Sequence, residues 1–432
     1  MTLLRRLRGR HQVLLGNVAA RVGALACVFG ATLMLARNGG PAVVGVYALL
    51  HVLPGLVGTV ISAGLPVATP YFLAGPDRDD PRLPSTLAAI ALAGGTAGAA
   101  LWIACAPVTG PLVFSDLSRR LVMLAGLAVL SRLIVITAKA CSQGSEDLTG
   151  SNAIIFVEQF MFLPAYAALW AAGVGGFAAV VGALLLADAM TASLAWTRLV
   201  RRRFFGTLTR PSLGLARRVA NYGLRGQVGG VMSLLNLRLD FILLSVLTGP
   251  AVLGVYAVAS KFAELIRILG MALQYVFYPK FARERRAAAV ESARRLIPKV
   301  ALFSAAVLVP LWLAAGFVIP GFYGSDFSSA VTPTRIILFG LLLDGVSGVI
   351  TGFLYGVGRP GLNSLAMGAG LAATVGLDLL LIPRFEAVGA AIASAVAYTT
   401  TAGFLLWFFA RAQRSGRTSG LDEPALARAE AH

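Results

Sequence analysis

Charge is scarce in this chain of 432 residues. Lys, Arg, Asp and Glu together make up 13% of it, about half the share in an average soluble protein. So few charges cannot cover a water-facing surface, which argues against a disordered chain, a cytosolic enzyme or a nucleic-acid-binding domain. The formal charge of +18 therefore needs a topological explanation before a nucleic-acid one. Cysteine is nearly absent, and Cys27, Cys105 and Cys141 stand too far apart for a disulfide framework or a metal-ligand spacing. Three histidines, one of them the last residue, are too few for a His-based metal site. No Walker-type phosphate loop, HExxH, GxSxG or dinucleotide fingerprint occurs. The expectation is a protein that is not an enzyme and needs no metal or cofactor.

Apolar runs fill the chain instead. Helical crossing of a bilayer takes about 20 apolar residues. Twelve such runs are present, near 13–36, 43–66, 86–108, 121–141, 153–172, 176–198, 222–247, 251–275, 299–320, 334–356, 362–382 and 387–410. The first follows Arg5, Arg6, Arg8 and Arg10 but is too long for a signal core, and eleven more follow, so it is read as a span. If the N-terminus is inside, 26 Lys and Arg fall in inside segments and 4 in outside ones (Arg37, Arg119, Arg120, Arg384). The two longest links, near 199–221 and 276–298, are rich in arginine and lie inside. The bias predicts twelve transmembrane helices with both termini cytoplasmic.

A repeat divides the chain. Residues 40–48 read GPAVVGVYA and residues 249–257 read GPAVLGVYA, an offset of 209 that also pairs Pro70 with Pro279 and Phe72 with Phe281. A weaker echo pairs Val174-Gly175 with Val388-Gly389. Six spans separate the copies, so both halves enter the membrane in the same direction. That predicts an all-α membrane protein of two six-helix lobes, 1–209 and 210–432, related by a parallel pseudo-two-fold. The arginine-rich segment near 199–221 would connect them, and a substrate path would lie between.

Three stretches carry a resemblance to a known family: VGVYALLHVLPGLVGTVISAGLPVATPYFLAG (44–75), LRLDFILLSVLTGPAVLGVYAVASKFAELIRILGMALQYVFYPKFAR (237–283) and GRPGLNSLAMGAGLAATVGLDLLLIPRFEAVGAAIASAVAY (358–398). The chain resembles the Wzx-type lipid-linked oligosaccharide flippases of the multidrug/oligosaccharidyl-lipid/polysaccharide (MOP) superfamily. The resemblance implies a MATE-like fold in the bacterial cytoplasmic membrane. It implies transfer of undecaprenyl-pyrophosphate-linked repeat units to the outer leaflet by alternating access, without ATP hydrolysis, for O-antigen, lipopolysaccharide or exopolysaccharide assembly. A polymerase and other assembly proteins are candidate partners, the chain is expected to act as a monomer, and a proton or sodium gradient is the candidate energy source.

Thirteen charges lie inside the runs and would each cost about 2.5–3.5 kcal/mol facing lipid at a helix centre. They must pair or line a wet interior. Arginine suits pyrophosphate because its planar fork meets two oxygens at once. The cationic candidates for the headgroup are Arg21, Arg132, Arg238, Lys261 and Arg267, with Asn17 one turn from Arg21. Asp240, Glu264, Glu158, Asp188, Asp344, Asp378 and His51 are the coupling or gating candidates, and structural ion pairing is the competing reading for each. Glu264 sits three residues from both Lys261 and Arg267 and can reach either. Arg238 and Asp240, two apart, cannot face each other, whereas Asn236 and Asp240 can. Asn17, Arg21, Asp240, Lys261 and Glu264 are expected to face the central path. Arg225 and Arg335, near span ends, are expected to snorkel. Pro54, Pro66, Pro164 and Pro310 are expected to kink their helices, and Trp407 and Tyr323 to anchor at the interface.

Two other transporter readings stay open. One is a cation-coupled exporter of small molecules or drugs from the multidrug branch. That branch often relies on an acid in its first span, where this chain has Arg21. The other is a peptidoglycan-precursor flippase. A glycan polymerase or ligase would need a large outside loop, and the longest here run to about a dozen residues with Asp116 and Asp326 as acids.

Overall fold

The computed structural model describes the backbone of residues 2–206 and 209–416, and side chains from Gly16 onward apart from 228–237 and scattered single positions. The side chains of Arg5, Arg6, Arg8, Arg10, Arg225, Asn236, Arg417 and Arg428 lie outside the described residues.

Helix is the only regular structure among the described residues. Lipid offers no partner to a backbone N–H or C=O, so a spanning segment must satisfy both within its own helix. The helices are α1 (Thr2–Ile61), α2 (Leu65–Ala74), α3 (Leu83–Val113), α4 (Arg119–Ala125), α5 (Leu127–Gly144), α6 (Leu148–Phe160), α7 (Phe162–Ala171), α8 (Gly176–Arg201), α9 (Leu213–Thr248), α10 (Pro250–Arg283), α11 (Arg286–Tyr323), α12 (Val331–Gly340), α13 (Asp344–Gly356) and α14 (Pro360–Gly416).

Among the described residues, eight stretches of helix are long and apolar enough to cross a bilayer. Two of them, 46 and 55 residues long, would reach about 70 and 80 Å at 1.5 Å per residue, over twice the roughly 30 Å of hydrocarbon. Each is two helices meeting at a non-helical residue, Gly40 in α1 (φ 70°) and Glu386 in α14 (φ 49°). The helices α9 and α10 stand outside the eight, and they hold six of the thirteen intramembrane charges.

The backbone repeats as the sequence does. Gly40 (φ 70°, ψ −170°) and Gly249 (φ 96°, ψ 175°) take the same positive-φ conformation, and a proline opens the helix after each. That backbone region is open to glycine and strained for other residues, while proline's fixed φ suits the first helical position. Later turns keep step: Glu146 (φ 59°) with Gly358 (φ 72°), and Gly176 (φ 60°) with Glu386 (φ 49°).

Prolines behave in two ways. Pro66 opens α2 just after a break at Ala63–Gly64, and Pro164 sits three residues past the break at Met161. Pro54 and Pro310 lie inside α1 and α11.

The chain divides into two compact units, Met1–Arg238 and Leu239–His432. The division falls within α9, beyond the arginine-rich connector, because the first part of α9 packs with the N-terminal unit. Leu215 and Val219 join a core cluster with Leu65, Phe72, Leu83, Leu87, Cys141 and Leu199. Tyr222 stacks on Tyr71 at 4.1 Å, and Gln227 donates to the carbonyls of Thr59 and Val60. In the C-terminal unit a second cluster joins Phe281, Ala289, Ala293, Phe353, Leu405, Phe408 and Ala412. This places the end of α10, the start of α11 and the end of α14 at one end of that unit.

Candidate functional site

In the N-terminal unit the charges form two groups. The first is a polar chain between α1 and α6. Arg21 donates from Nε to Asn17 Oδ1 at 3.0 Å, and Asn17 donates from Nδ2 to Asn152 Oδ1 at 2.6 Å. The one-turn spacing read from the sequence makes the first contact, and Asn152 comes from a separate helix. Arg21 is exposed and has no carboxylate partner among the described residues.

The second group is buried where α1, α5, α6 and α8 meet. Arg132 on α5 donates from Nη1 to the His51 carbonyl at 2.7 Å, and its Nη2 lies 3.4 Å from His51 Nδ1. Its Nε lies 3.5 Å from Asp188 Oδ2 on α8, which also accepts from Ser131 Oγ at 3.1 Å. Both partners are nearly sealed, with side chains 10% and 6% exposed. Glu158 on α6 pairs with Lys139 at 3.5 Å. A small pocket is lined by Tyr47, His51, Arg132, Glu158, Gln159 and Asp188, among others. Arg132, a sequence candidate for the substrate headgroup, is thus held by groups of its own unit.

The C-terminal unit carries its own set. Asp240 on α9 accepts from Tyr256 OH at 2.5 Å, and Tyr256 OH also meets Ser394 Oγ at 2.9 Å. Lys261 donates to Glu264 at 3.0 Å. Of the two cations within helical reach of Glu264, Lys261 pairs with it, and the Arg267 guanidinium lies over the Tyr398 ring at 5.4 Å. Asp344 on α13 is within electrostatic reach of Arg267, and Asp378 on α14 of Asp240. Asp378 is fully buried, and neither carboxylate oxygen has a hydrogen-bond partner among the described residues. Arg238 is half-buried on α9. Arg335 lies across Trp312, 4.8 Å from the ring, and donates to its carbonyl at 3.2 Å.

Sequence reasoning missed the uncharged members Tyr256, Ser394, Tyr398 and Asn152. The repeat itself held a signal for one of them. Tyr47 and Tyr256 occupy the same place in the matched nonapeptides, and both are buried beside ionisable groups, His51 and Asp240.

Outside the membrane stretches, Asp147 caps α6 by accepting from Gly150 N at 2.9 Å. It also meets Arg198, Nε at 2.8 Å and Nη2 at 3.0 Å, and Arg202 at 3.0 Å. The Arg198 hydrogen bonds hold its carboxyl below the usual carboxylate range.

Two solved structures share the fold at low sequence identity. A lipid II flippase, MurJ, in an inward closed conformation matches with a TM-score of 0.70 at 12% identity, covering 93% of this chain and 90% of that one. An inward-facing multidrug resistance MATE transporter of the MOP superfamily also scores 0.70, at 16% identity, covering 94% and 99%. An uncharacterized membrane protein of Methanocaldococcus jannaschii is 25% identical over 200 residues, which are 45% of this chain and 38% of that protein. The matched stretch thus spans well under half of that relative. A sequence profile described as polysaccharide biosynthesis protein matches residues 34–332. With that match over most of the chain and the MOP transporter fold across nearly all of it, this membrane protein belongs to the polysaccharide biosynthesis protein family.

Proposed function

We propose that the chain is a flippase for undecaprenyl-pyrophosphate-linked oligosaccharide repeat units, carrying them by alternating access from the cytoplasmic to the outer leaflet of the bacterial cytoplasmic membrane. The observation that carries the reading is the match to the polysaccharide biosynthesis family on a transporter fold, in a chain whose spans hold buried cations and polar chains. In this reading the chain crosses the membrane twelve times with both termini cytoplasmic, and polymerase and other assembly proteins act next on its product.

A pyrophosphate carries charge that hydrocarbon does not solvate, so its passage needs cations with unspent capacity. Arg21 supports this role best. Its contact is to the neutral Asn17, which leaves its charge uncompensated by any described carboxylate and its fork open to two phosphate oxygens. Lys261, Arg267 and Arg238 are further candidates. Lys261 would exchange Glu264 for phosphate when substrate arrives. Asp378 and Asp240, with Tyr256 and Ser394, are the coupling candidates. Buried acids sharing a site favour binding a proton or a cation, which would link transport to an ion gradient.

A multidrug-type exporter and a peptidoglycan-precursor flippase are the alternatives, and solved proteins of both kinds share the fold. An arginine where the drug branch often uses an acid favours an anionic substrate. The test is complementation in a strain that lacks the gene. Wild type restores surface glycan, and Arg21→Ala does not, at matched protein level. Full restoration by Arg21→Ala would remove the proposed headgroup contact, and unchanged drug sensitivity in the deletion strain would weigh against the exporter.

A further inference from the structure

The exposed face of α11 is continuous but changes character along its length. Its buried face carries Ala289, Ala293, Val300, Ser304, Leu308, Ala315 and Ile319. On the opposite face Leu302, Phe303, Val309, Leu313 and Phe317 are exposed, Phe317 by 85%, as expected of side chains in lipid. One turn before Phe303 the same face carries Lys299, and two turns before it Arg295, with Arg294 flanking; all three are exposed. Residues four apart on a helix share a face, so Arg295, Lys299 and Phe303 form one stripe. The basic residues thus point outward along the lipid-facing side, not into the interior of the unit. Glu291 is the one acid on the stripe, 2.7 Å from Arg295 and 3.9 Å from Arg294, and Lys299 has no carboxylate partner among the described residues.

A second helix marks the same level. The end of α14 packs in the same core cluster as the start of α11. There Trp407 is exposed, and the Arg411 guanidinium lies over its ring at 5.8 Å. Tryptophan with an arginine beside it is the usual furniture of the headgroup layer. Arg283, Arg285, Arg359 and Arg414 are exposed as well, on helix ends and turns next to that cluster.

We propose that this end of the C-terminal unit is a binding surface for anionic phospholipid headgroups, with Arg294, Arg295 and Lys299 as its phosphate-facing residues. The charge selects the occupant. Clustered cations at the end of a spanning helix attract acidic lipid, and the adjoining apolar stripe receives the acyl chains that a free anion lacks. Arginine is suited to the phosphodiester oxygens, and Lys299 adds a point charge.

Native mass spectrometry of the purified full chain tests this independently of any transport substrate. Phosphatidylglycerol and phosphatidylcholine are offered in competition. Wild type should retain phosphatidylglycerol with a preference of at least about fivefold, the scale of one basic residue near an acidic surface. Arg294→Gln/Arg295→Gln/Lys299→Gln should bring the preference close to parity, while Arg294→Lys/Arg295→Lys should keep most of it. Arg335→Gln, on a different part of the unit, should leave it unchanged. Single Lys299→Gln gives a milder variant, with an intermediate preference expected, should the triple change reduce folding. Parity in wild type, full preference in the triple variant, or equal loss in Arg335→Gln would overturn the proposal. So would release of the lipid by inorganic phosphate, which would mark an anion site with no use for the lipid tail.

Discussion

Arg198 holds Asp147 with two parallel hydrogen bonds, Nε to Oδ2 at 2.8 Å and Nη2 to Oδ1 at 3.0 Å, while the same carboxylate caps α6. One buried side chain therefore fixes the start of α6 to the end of α8. Asp147→Asn keeps a capping oxygen but loses the charge, and should cost about 1.5–3 kcal/mol, the range for a hydrogen bond to a charged group. Thermal unfolding in detergent reads this, with exposed Glu146→Gln as a near-silent control. The sign with pH follows from a carboxyl held below its ordinary value. Its contribution is complete above the unfolded value near 4 and is lost as pH falls further. Asp147→Asn should therefore be most costly at neutral pH and converge on wild type in acid.

Gly40→Ala and Gly249→Ala should each destabilise by about 1–3 kcal/mol, because both positions hold a positive φ that a Cβ strains. The two losses should be similar, since the same turn recurs before a proline in each unit. Folded yield by size-exclusion chromatography measures it. A silent result at either glycine would mean the turn relaxes there without strain.

Arg132 should behave as a structural residue. Its guanidinium is occupied by the His51 carbonyl and Asp188. Arg132→Gln would leave Asp188 buried without its cation, at a cost of about 3–5 kcal/mol. Folded protein should fall with it, and Asp188→Asn in the same chain should recover part of the loss. If Arg132→Gln instead folds at wild-type yield and blocks transport, Arg132 contacts substrate.

Much of the fold was legible in the sequence. The apolar runs gave the helices, and the nonapeptide repeat marked Gly40 and Gly249, whose shared backbone turn the structure bears out. The i,i+3 and i,i+4 spacings found Lys261–Glu264 and Arg21–Asn17, because both partners sit on one helix. Contacts that needed a second helix were out of reach. Nothing in local spacing pairs Arg132 with His51, 81 residues away, or Tyr256 with Ser394, 138 away. Neutral hydroxyls carry no charge that marks them within an apolar run, although Tyr256 and Ser394 serve as partners around Asp240. Packing of the first part of α9 with the N-terminal unit is likewise a contact between helices that composition does not reveal.

Lys substitution separates geometry from charge at the proposed headgroup contact. Arg21→Lys keeps the cation and loses the planar fork. Surface glycan should be restored only in part by Arg21→Lys and hardly at all by Arg21→Ala, each at near-normal abundance. Arg201→Ala, exposed at the end of α8, should restore it almost fully. Equal restoration by Lys and Arg would show that charge alone is needed.

Lipid flipping by the purified protein is the direct assay of the proposed flippase activity. The full chain is reconstituted into liposomes with an undecaprenyl-pyrophosphate-linked repeat unit in both leaflets, and an impermeant glycosidase is added outside. Wild type should expose the inner-leaflet glycan to digestion, and Arg21→Ala liposomes should protect it as protein-free ones do. Protection of the inner-leaflet glycan with folded wild-type protein present, under an ion gradient of either sign, would show that the chain does not flip this lipid.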